Sequence, residues 1–231
     1  MQRHSNTLPI TLLDLSPYIR RILKDKDIIP TLKSKSLVLL GRPGWGKSPL
    51  LQVLAMAVSK YWISQPDITT KLDSPCFRVA ESLAVFRGEP GLIECPDIFD
   101  DGDVNLQTIT SLKAFLGQIR IEGMIFARWG ASKFQKHQLR ALADNKFDAD
   151  VEPEIHERIN DGTAIKQEHF VDMLRPAFPK GISLSDIDAL LKRETWMVNT
   201  KTSVYIRIAG VTSTVRRIPN ECPALTNTPI K

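Results

Sequence analysis

A glycine-rich stretch from Gly41 to Ser48 directly follows the apolar run Leu37 to Leu40 and has the pattern G-x-x-x-x-G-K-S. The apolar run predicts a short buried strand, and the apolar residues of 50–63 recur at helical spacing, so the stretch should join a strand to a helix. In that setting, backbone N–H groups and the start of the helix can bind phosphate oxygens. A chance glycine-rich turn is the alternative interpretation, and the flanks on both sides count against it.

The motif also predicts which residues hold a nucleotide and its metal. Lys47 is expected to reach the β- and γ-phosphates and to act in catalysis, and the Ser48 hydroxyl is expected to bind Mg²⁺. Pro49 has no N–H, so it removes a donor that helps to bind the α-phosphate in most such loops, and we expect weaker nucleotide binding. The residues expected to contact the nucleotide are Gly41, Arg42, Pro43, Gly44, Trp45, Gly46, Lys47 and Ser48.

A second apolar stretch, Leu92 to Phe99, ends in the acid pair Asp100 and Asp101. It resembles the second nucleotide-site motif of ATPases, in which a buried strand carries acids at its carboxyl end. We assign Asp100 to Mg²⁺ and Asp101 to the attacking water. Asp97 and Asp103 are rivals for either role, and an exposed acidic turn is the alternative interpretation.

Two further strands are predicted downstream, over Ile119 to Phe126 and Leu139 to Ala143, with the turn 128–134 between them. The turn contains two bases, two aromatic residues and a glycine. Asn145 follows the second strand. In ATPases a polar residue at that place senses the γ-phosphate and helps to hold the water, so Asn145 is a candidate catalytic residue.

The order of these motifs resembles the helicase superfamily 3 domain, most closely the helicase half of replication initiator (Rep) proteins of small circular single-stranded DNA viruses and plasmids. The resemblance covers residues 36–150 and depends on Gly41 to Ser48, the acid pair, the turn 128–134 and Asn145. It implies an α/β fold of the P-loop NTPase (AAA+-like) class, in which helices flank a parallel sheet.

The resemblance also implies a function. The protein would be a Mg²⁺-dependent ATPase and DNA helicase that acts on single-stranded DNA in replication, as a homo-oligomeric ring that hydrolyses ATP between subunits. Basic side chains would neutralise DNA phosphates, and Trp129 or Phe134 would stack on bases unless these rings only pack the hairpin. The residues expected to contact DNA are Arg128, Trp129, Lys133 and Lys136.

In such rings an arginine from the neighbouring subunit should complete the catalytic site. Arg158 is our candidate for that residue, and Arg175 is the alternative, both by position only. The chain departs from the family pattern at Ala143 and Asp144, where small hydroxyl residues usually precede the asparagine. Its four histidines do not form the His-hydrophobic-His pair of the nickase half of such initiators.

Three parts are predicted: a helical lead-in over 1–35, an ATPase core over 36–160, and a C-terminal α/β appendage over 161–231 with helices, a strand pair and a flexible tail. The chain has 231 residues, and its 42% hydrophobic content is typical of a globular protein. A net charge of +5 is a mild indication of an anionic partner.

The composition also bears on location. No apolar run approaches the roughly 18 residues that span a membrane, and no signal peptide is evident. The three widely spaced cysteines favour a reducing compartment, so we expect an intracellular protein, in the nucleus or cytoplasm, that does not contact membranes.

Three other functions remain open on the sequence. The chain could be an ATPase that acts on a protein or another non-DNA partner, or a small-molecule kinase. It could also be a nucleotide-binding protein with weak or no catalysis, which Pro49 and the imperfect second motif favour.

Overall fold

The computed structural model describes residues 2–5, 10–24, 27–68, 72–117, 122–127, 130–145, 164–200, 203–210 and 214–219. The helices are α1 (Pro17–Leu23), α2 (Ile28–Leu32), α3 (Lys47–Ile63), α4 (Ile109–Leu116), α5 (Gln167–Leu174) and α6 (Leu184–Leu191). None of these described helices combines the length and the apolar character needed to cross a membrane.

The strands are β1 (Gln2–Ser5), β2 (Leu37–Gly41), β3 (Cys76–Ala80), β4 (Asp97–Phe99), β5 (Glu122–Ala127), β6 (Gly130–Gln135), β7 (Arg140–Asp144), β8 (Ala164–Lys166), β9 (Thr195–Asn199), β10 (Ser203–Arg207) and β11 (Thr214–Pro219). Nine of them form one sheet in the order β1-β3-β4-β7-β2-β9-β10-β11-β8. The pairings from β3 through β9 are parallel, and the pairings on either side are antiparallel. The chain is therefore an α/β protein.

Strand β2 is buried along its whole length, which explains why its sequence is apolar without interruption. Successive residues of a strand point to opposite faces. Leu37 and Leu39 pack with residues of α1, α2 and α3. Val38 and Leu40 pack with residues of α4, α5 and α6. Helices therefore cover both faces of the central strands, as expected for a sheet with parallel strands.

The strand and helix predicted on either side of the glycine-rich stretch are confirmed as β2 and α3, and α3 begins earlier than expected, at Lys47. The C-terminal part is more closely joined to the core than an appendage would be. Its strands β8 to β11 continue the same sheet, and β9 pairs directly with β2. Where the sequence predicts a strand pair in this part, the structure has β9 and β10 paired antiparallel, and β11 paired antiparallel with β10.

Of the strand predicted over Leu92 to Phe99, only the last three residues form β4. Pro96 precedes them, and its carbonyl accepts a hydrogen bond of 2.9 Å from the backbone N–H of Arg78. Proline lacks the N–H that a strand interior needs, so the ladder begins only after it. The short β4 places Asp97 inside the sheet and Asp100 just past the strand's carboxyl end.

Asp97 is fully buried and pairs with Arg78 of β3, which is 1% exposed. Two hydrogen bonds, of 2.5 and 2.6 Å, join the guanidinium to the carboxylate. Gln138 Nε2 donates a third, of 2.8 Å, to the same carboxylate. Asp97 therefore forms a structural ion pair. It is no longer a candidate for the Mg²⁺ and water roles that were assigned to Asp100 and Asp101.

Strands β5 and β6 form an antiparallel hairpin, paired from Glu122↔Gln135 to Ala127↔Gly130. The turn predicted over 128–134 is therefore wrong in its extent, because residues 130–134 belong to β6. The tip of this hairpin, residues 128–129, lies outside the described residues. Phe134 is buried, and its ring lies 6.2 Å from that of Phe86 and 5.4 Å from that of Phe115 between centroids. Of the two roles left open for Phe134, base stacking and packing, the structure supports packing, because its ring belongs to the core.

Replacing Asp97 by Asn should lower the free energy of unfolding by about 3–5 kcal/mol, because it leaves the buried Arg78 charge without compensation. Urea denaturation followed by circular dichroism would measure the loss. The matched control is Asp172→Asn, which removes the partner of the exposed Arg175 at 3.3 Å. That variant should lose less than about 1 kcal/mol. Equal losses in the two variants would contradict the structural role of the buried pair.

Candidate functional site

The loop between β2 and α3 depends on glycine at both of its ends. At Gly41 a Cβ atom would lie 2.8 Å from the carbonyl oxygen of Asn199, so no side chain fits between β2 and β9 there. Gly46 caps α3 with φ +84°, a left-handed conformation that side chains disfavour. The loop thus turns sharply from the end of β2 into the start of α3.

Pro49 lies in the first turn of α3, where a backbone N–H has no partner within the helix. The first helical hydrogen bond is made by the next residue, from Leu50 N to Gly46 O at 3.1 Å. The proline therefore costs the helix no hydrogen bond. It does take away one of the free N–H groups that point out of the helix start.

The Lys47 side chain folds back over the loop and is 4% exposed. Its Nζ donates hydrogen bonds of 2.7 Å to the carbonyls of Gly41 and Arg42. Burial lowers the pKa of Lys47, and the carboxylates of Asp100, Asp144 and Asp101 oppose that shift. The ammonium group therefore lies where the loop and the ends of two strands meet.

Asp100 is 6% exposed and directly follows β4. Burial raises the pKa of Asp100, while a hydrogen bond from the Ser48 side chain favours its charged form. The structure thus brings together the two residues assigned to Mg²⁺ from the sequence. A hydroxyl and a carboxylate oxygen are ligands suited to that ion.

Asp101 and Asn145, the two residues assigned to the water, also meet. The Asn145 Nδ2 donates a hydrogen bond to Oδ1 of Asp101. Asp101 is exposed and has φ +56°, an uncommon conformation for a residue with a side chain. Its carboxylate therefore contacts the residue that directly follows β7.

Sequence reasoning missed the role of Asp144, which was noted only as a departure from a family pattern. Asp144 ends β7, is 3% exposed and acts electrostatically on Lys47. Strand β7 lies between β4 and β2, so its end falls between the acid pair and the loop. The place of that strand in the sheet, which no local pattern reveals, is what brings Asp144 to the site.

Asn199 is a second residue that sequence reasoning missed. It ends β9, is 7% exposed and pairs with Gly41 across the parallel strands. With its amide oriented to satisfy both neighbours, Oδ1 accepts a hydrogen bond of 3.2 Å from Trp45 Nε1, and Nδ2 donates one of 3.2 Å to Thr200 O. A polar residue at the end of an apolar strand was the available signal.

The remaining candidates are less well placed or cannot be described. Lys136 is exposed in the turn after β6, and for Lys133 the structure describes only the strand that carries it. Arg175 is exposed and pairs with Asp172. Arg128, Trp129 and Arg158 lie outside the described residues.

Within the described part of the chain, no group of three or more His, Cys, Asp or Glu side chains is arranged to hold a metal ion. A Mg²⁺ ion usually takes only one or two carboxylates from a protein, with waters and substrate phosphates as the other ligands. The pair of Ser48 and Asp100 fits that pattern.

In comparisons with known proteins, no family model, no curated protein and no solved structure matches this chain.

Proposed function

We propose that this protein is a Mg²⁺-dependent ATPase of the P-loop, AAA+-like class. The observation that carries the proposal is the meeting of Ser48 and Asp100 beside the buried Lys47. Asp100 is far from Lys47 and Ser48 in the sequence, and the two motifs independently predict that all three residues serve one metal and phosphate site. In a chance glycine-rich turn, the lysine and the serine would not be expected to lie beside the acid that follows a strand of the same sheet.

The groups present fit a nucleotide polyphosphate with Mg²⁺. The loop offers the N–H groups at the start of α3, a helix end that favours negative charge. Lys47 supplies a cation with three donors. Ser48 and Asp100 offer two oxygen ligands on the same side of the loop. The bound Mg²⁺ would neutralise negative charge on the phosphates as the γ-phosphoryl group is transferred.

The protein's own residues would act by position and charge. Lys47 would turn donors from the loop carbonyls toward the β- and γ-phosphates. The Asp101 carboxylate, held by Asn145, would accept a hydrogen bond from the attacking water and orient it. Asp144 would compensate the buried Lys47 charge from the β7 side.

We extend the proposal to DNA on the strength of the resemblance to superfamily 3 helicases. The protein would then move along single-stranded DNA as a Rep-like helicase in replication, as a homo-oligomeric ring in which an arginine such as Arg158 reaches the neighbouring site. The hairpin of β5 and β6, which carries Lys133 and is directly followed by Lys136, would contact the DNA, together with Arg128 and Trp129.

A second candidate function is nucleotide binding with little or no hydrolysis. The observation that favours it is Pro49, which removes one N–H from the phosphate-binding end of α3. A wild-type hydrolysis rate no higher than that of Lys47→Ala, despite clear nucleotide binding, would support this second function.

Lys47→Ala should weaken binding of a fluorescent ATP analogue by about 10- to 100-fold, since hydrogen bonds to charged groups contribute about 1.5–3 kcal/mol each. Hydrolysis should fall to background. The control is Lys60→Ala, which removes an exposed lysine from the same helix and should change neither quantity. Unchanged binding in Lys47→Ala would contradict the phosphate site.

Pro49→Thr and Pro49→Ala should both tighten nucleotide binding by about 2- to 10-fold, because each restores a backbone N–H at the helix start. Equilibrium titration with the same analogue measures the gain. The two variants share the restored N–H and differ in the hydroxyl, so a similar gain in both would assign it to the backbone. No gain in either would show that Pro49 does not weaken the site.

Single-stranded DNA should stimulate the ATPase rate of the wild-type protein, and stimulation should decrease as the salt concentration rises. The double variant Lys133→Ala/Lys136→Ala should lose most of the stimulation and keep its basal rate. Lys180→Ala, an exposed lysine elsewhere, serves as the control. A basal rate that DNA leaves unchanged would favour a non-DNA partner and contradict the helicase proposal.

A further inference from the structure

The carboxyl end of β9 lies directly against the glycine-rich loop. Gly41 and Asn199 are paired residues of β2 and β9, and a Cβ on Gly41 would come within 2.8 Å of the Asn199 carbonyl oxygen. No side chain fits on Gly41 between the two strands, and the end of β9 that carries Asn199 lies beside the start of the loop.

Trp45 connects the loop to that strand end. Its ring is partly buried against the hydrophobic cluster on the α3 face of the sheet. Its indole Nε1 donates a hydrogen bond of 3.2 Å to Oδ1 of Asn199. The amide of Asn199 is itself oriented by donation from Nδ2 to Thr200 O at 3.2 Å. An oriented amide thus meets the only side-chain donor that an indole has.

The loop needs stabilising contacts from other elements because its backbone has unusually high conformational freedom. Gly41, Gly44 and Gly46 all have positive φ, and ordering glycine has a high entropic cost. The hydrogen bonds from Lys47 to Gly41 O and Arg42 O hold the loop from within. In the proposed function Lys47 must turn donors toward phosphates, which weakens this internal support at the moment when the loop must keep its shape.

The place of Asn199 in the sheet agrees with such a role. After β2 the chain builds β3, β4 and β7 on one side of it, and later adds β9 on the other side. Ligands of open α/β sheets bind at such a switch point, outside the carboxyl ends of the strands. The loop and its phosphate-binding groups lie at this switch point. Asn199 ends β9, the strand that neighbours β2 on the side away from β7.

We propose that Asn199 is a positioning residue that holds the phosphate loop in its binding shape through the indole N–H of Trp45. Asn199 thereby sets the affinity of the site for a nucleoside triphosphate. This inference rests on the proposed function, which supplies the ligand. The C-terminal strand β9 then contributes directly to the site formed by the first half of the chain.

A double-mutant cycle tests the contact. Trp45→Phe keeps an aromatic ring and removes the N–H, and Asn199→Ala removes the acceptor. Each single variant should raise the Kd for a Mg²⁺-bound fluorescent ATP analogue by about 3- to 10-fold, the effect of one hydrogen bond. The double variant should bind no more weakly than the weaker single variant. If the fold increases in Kd of the two single variants multiply in the double variant, the proposal is overturned.

Two further measurements keep the outcome clear. Asn199→Leu replaces Asn199→Ala if the latter fails to fold, because leucine has a similar volume and no acceptor.

Tryptophan emission should change on Asn199→Ala in the otherwise wild-type chain and stay unchanged when the same substitution is made in the Trp45→Phe background. If the wild-type protein binds no nucleotide, the proposed function fails. The emission test still decides whether Asn199 holds Trp45, and emission that does not change in either chain would overturn that contact.

Discussion

The ammonium group of Lys47 is buried, and much of the site follows from the need to compensate its charge. A cation removed from water is unfavourable unless hydrogen bonds and opposite charges surround it. Two loop carbonyls at 2.7 Å supply the hydrogen bonds, and the carboxylates of Asp100, Asp144 and Asp101 supply the charge. The loop can therefore hold its lysine only because β4 and β7 end beside it.

Parallel strands make that arrangement possible, because their carboxyl ends meet at one edge of the sheet. The contrast between Asp97 and Asp100 shows how sharply this edge is defined. They are three residues apart: Asp97 is the first residue of the short β4, and Asp100 directly follows its last residue. Asp97 is locked to Arg78 and Gln138 inside the protein, whereas Asp100 faces the Ser48 hydroxyl. The same residue type stabilises the fold at one end of the strand and forms the candidate site at the other.

Local sequence patterns were sufficient for the loop, its flanking strand and helix, and the pairing of Ser48 with Asp100. They were sufficient because each depends on a short motif with a known setting. They were insufficient for Asp144 and Asn199, because those residues reach the site through the order of the strands. That order brings β7 between β4 and β2 and places β9 on the other side of β2.

The dependence on distant parts of the chain also explains the other differences between the predictions and the structure. The strand pair predicted for the C-terminal part does not separate β9 from β10, since period-two alternation does not mark the position of a tight antiparallel turn. The sequence leaves both base stacking and packing open for Phe134, because aromatic residues in a basic turn suit base stacking. Its burial against Phe86 and Phe115 depends on distant parts of the chain that no local pattern identifies.

The central claim is that Ser48 and Asp100 form one half of a Mg²⁺ site at the phosphate loop. Isothermal titration of a non-hydrolysable ATP analogue, with and without Mg²⁺, tests it most directly. The account predicts that Mg²⁺ tightens binding to the wild-type protein, and that Asp100→Asn loses most of this gain while Asp103→Asn keeps it. The same gain from Mg²⁺ in Asp100→Asn as in the wild-type protein would contradict the account.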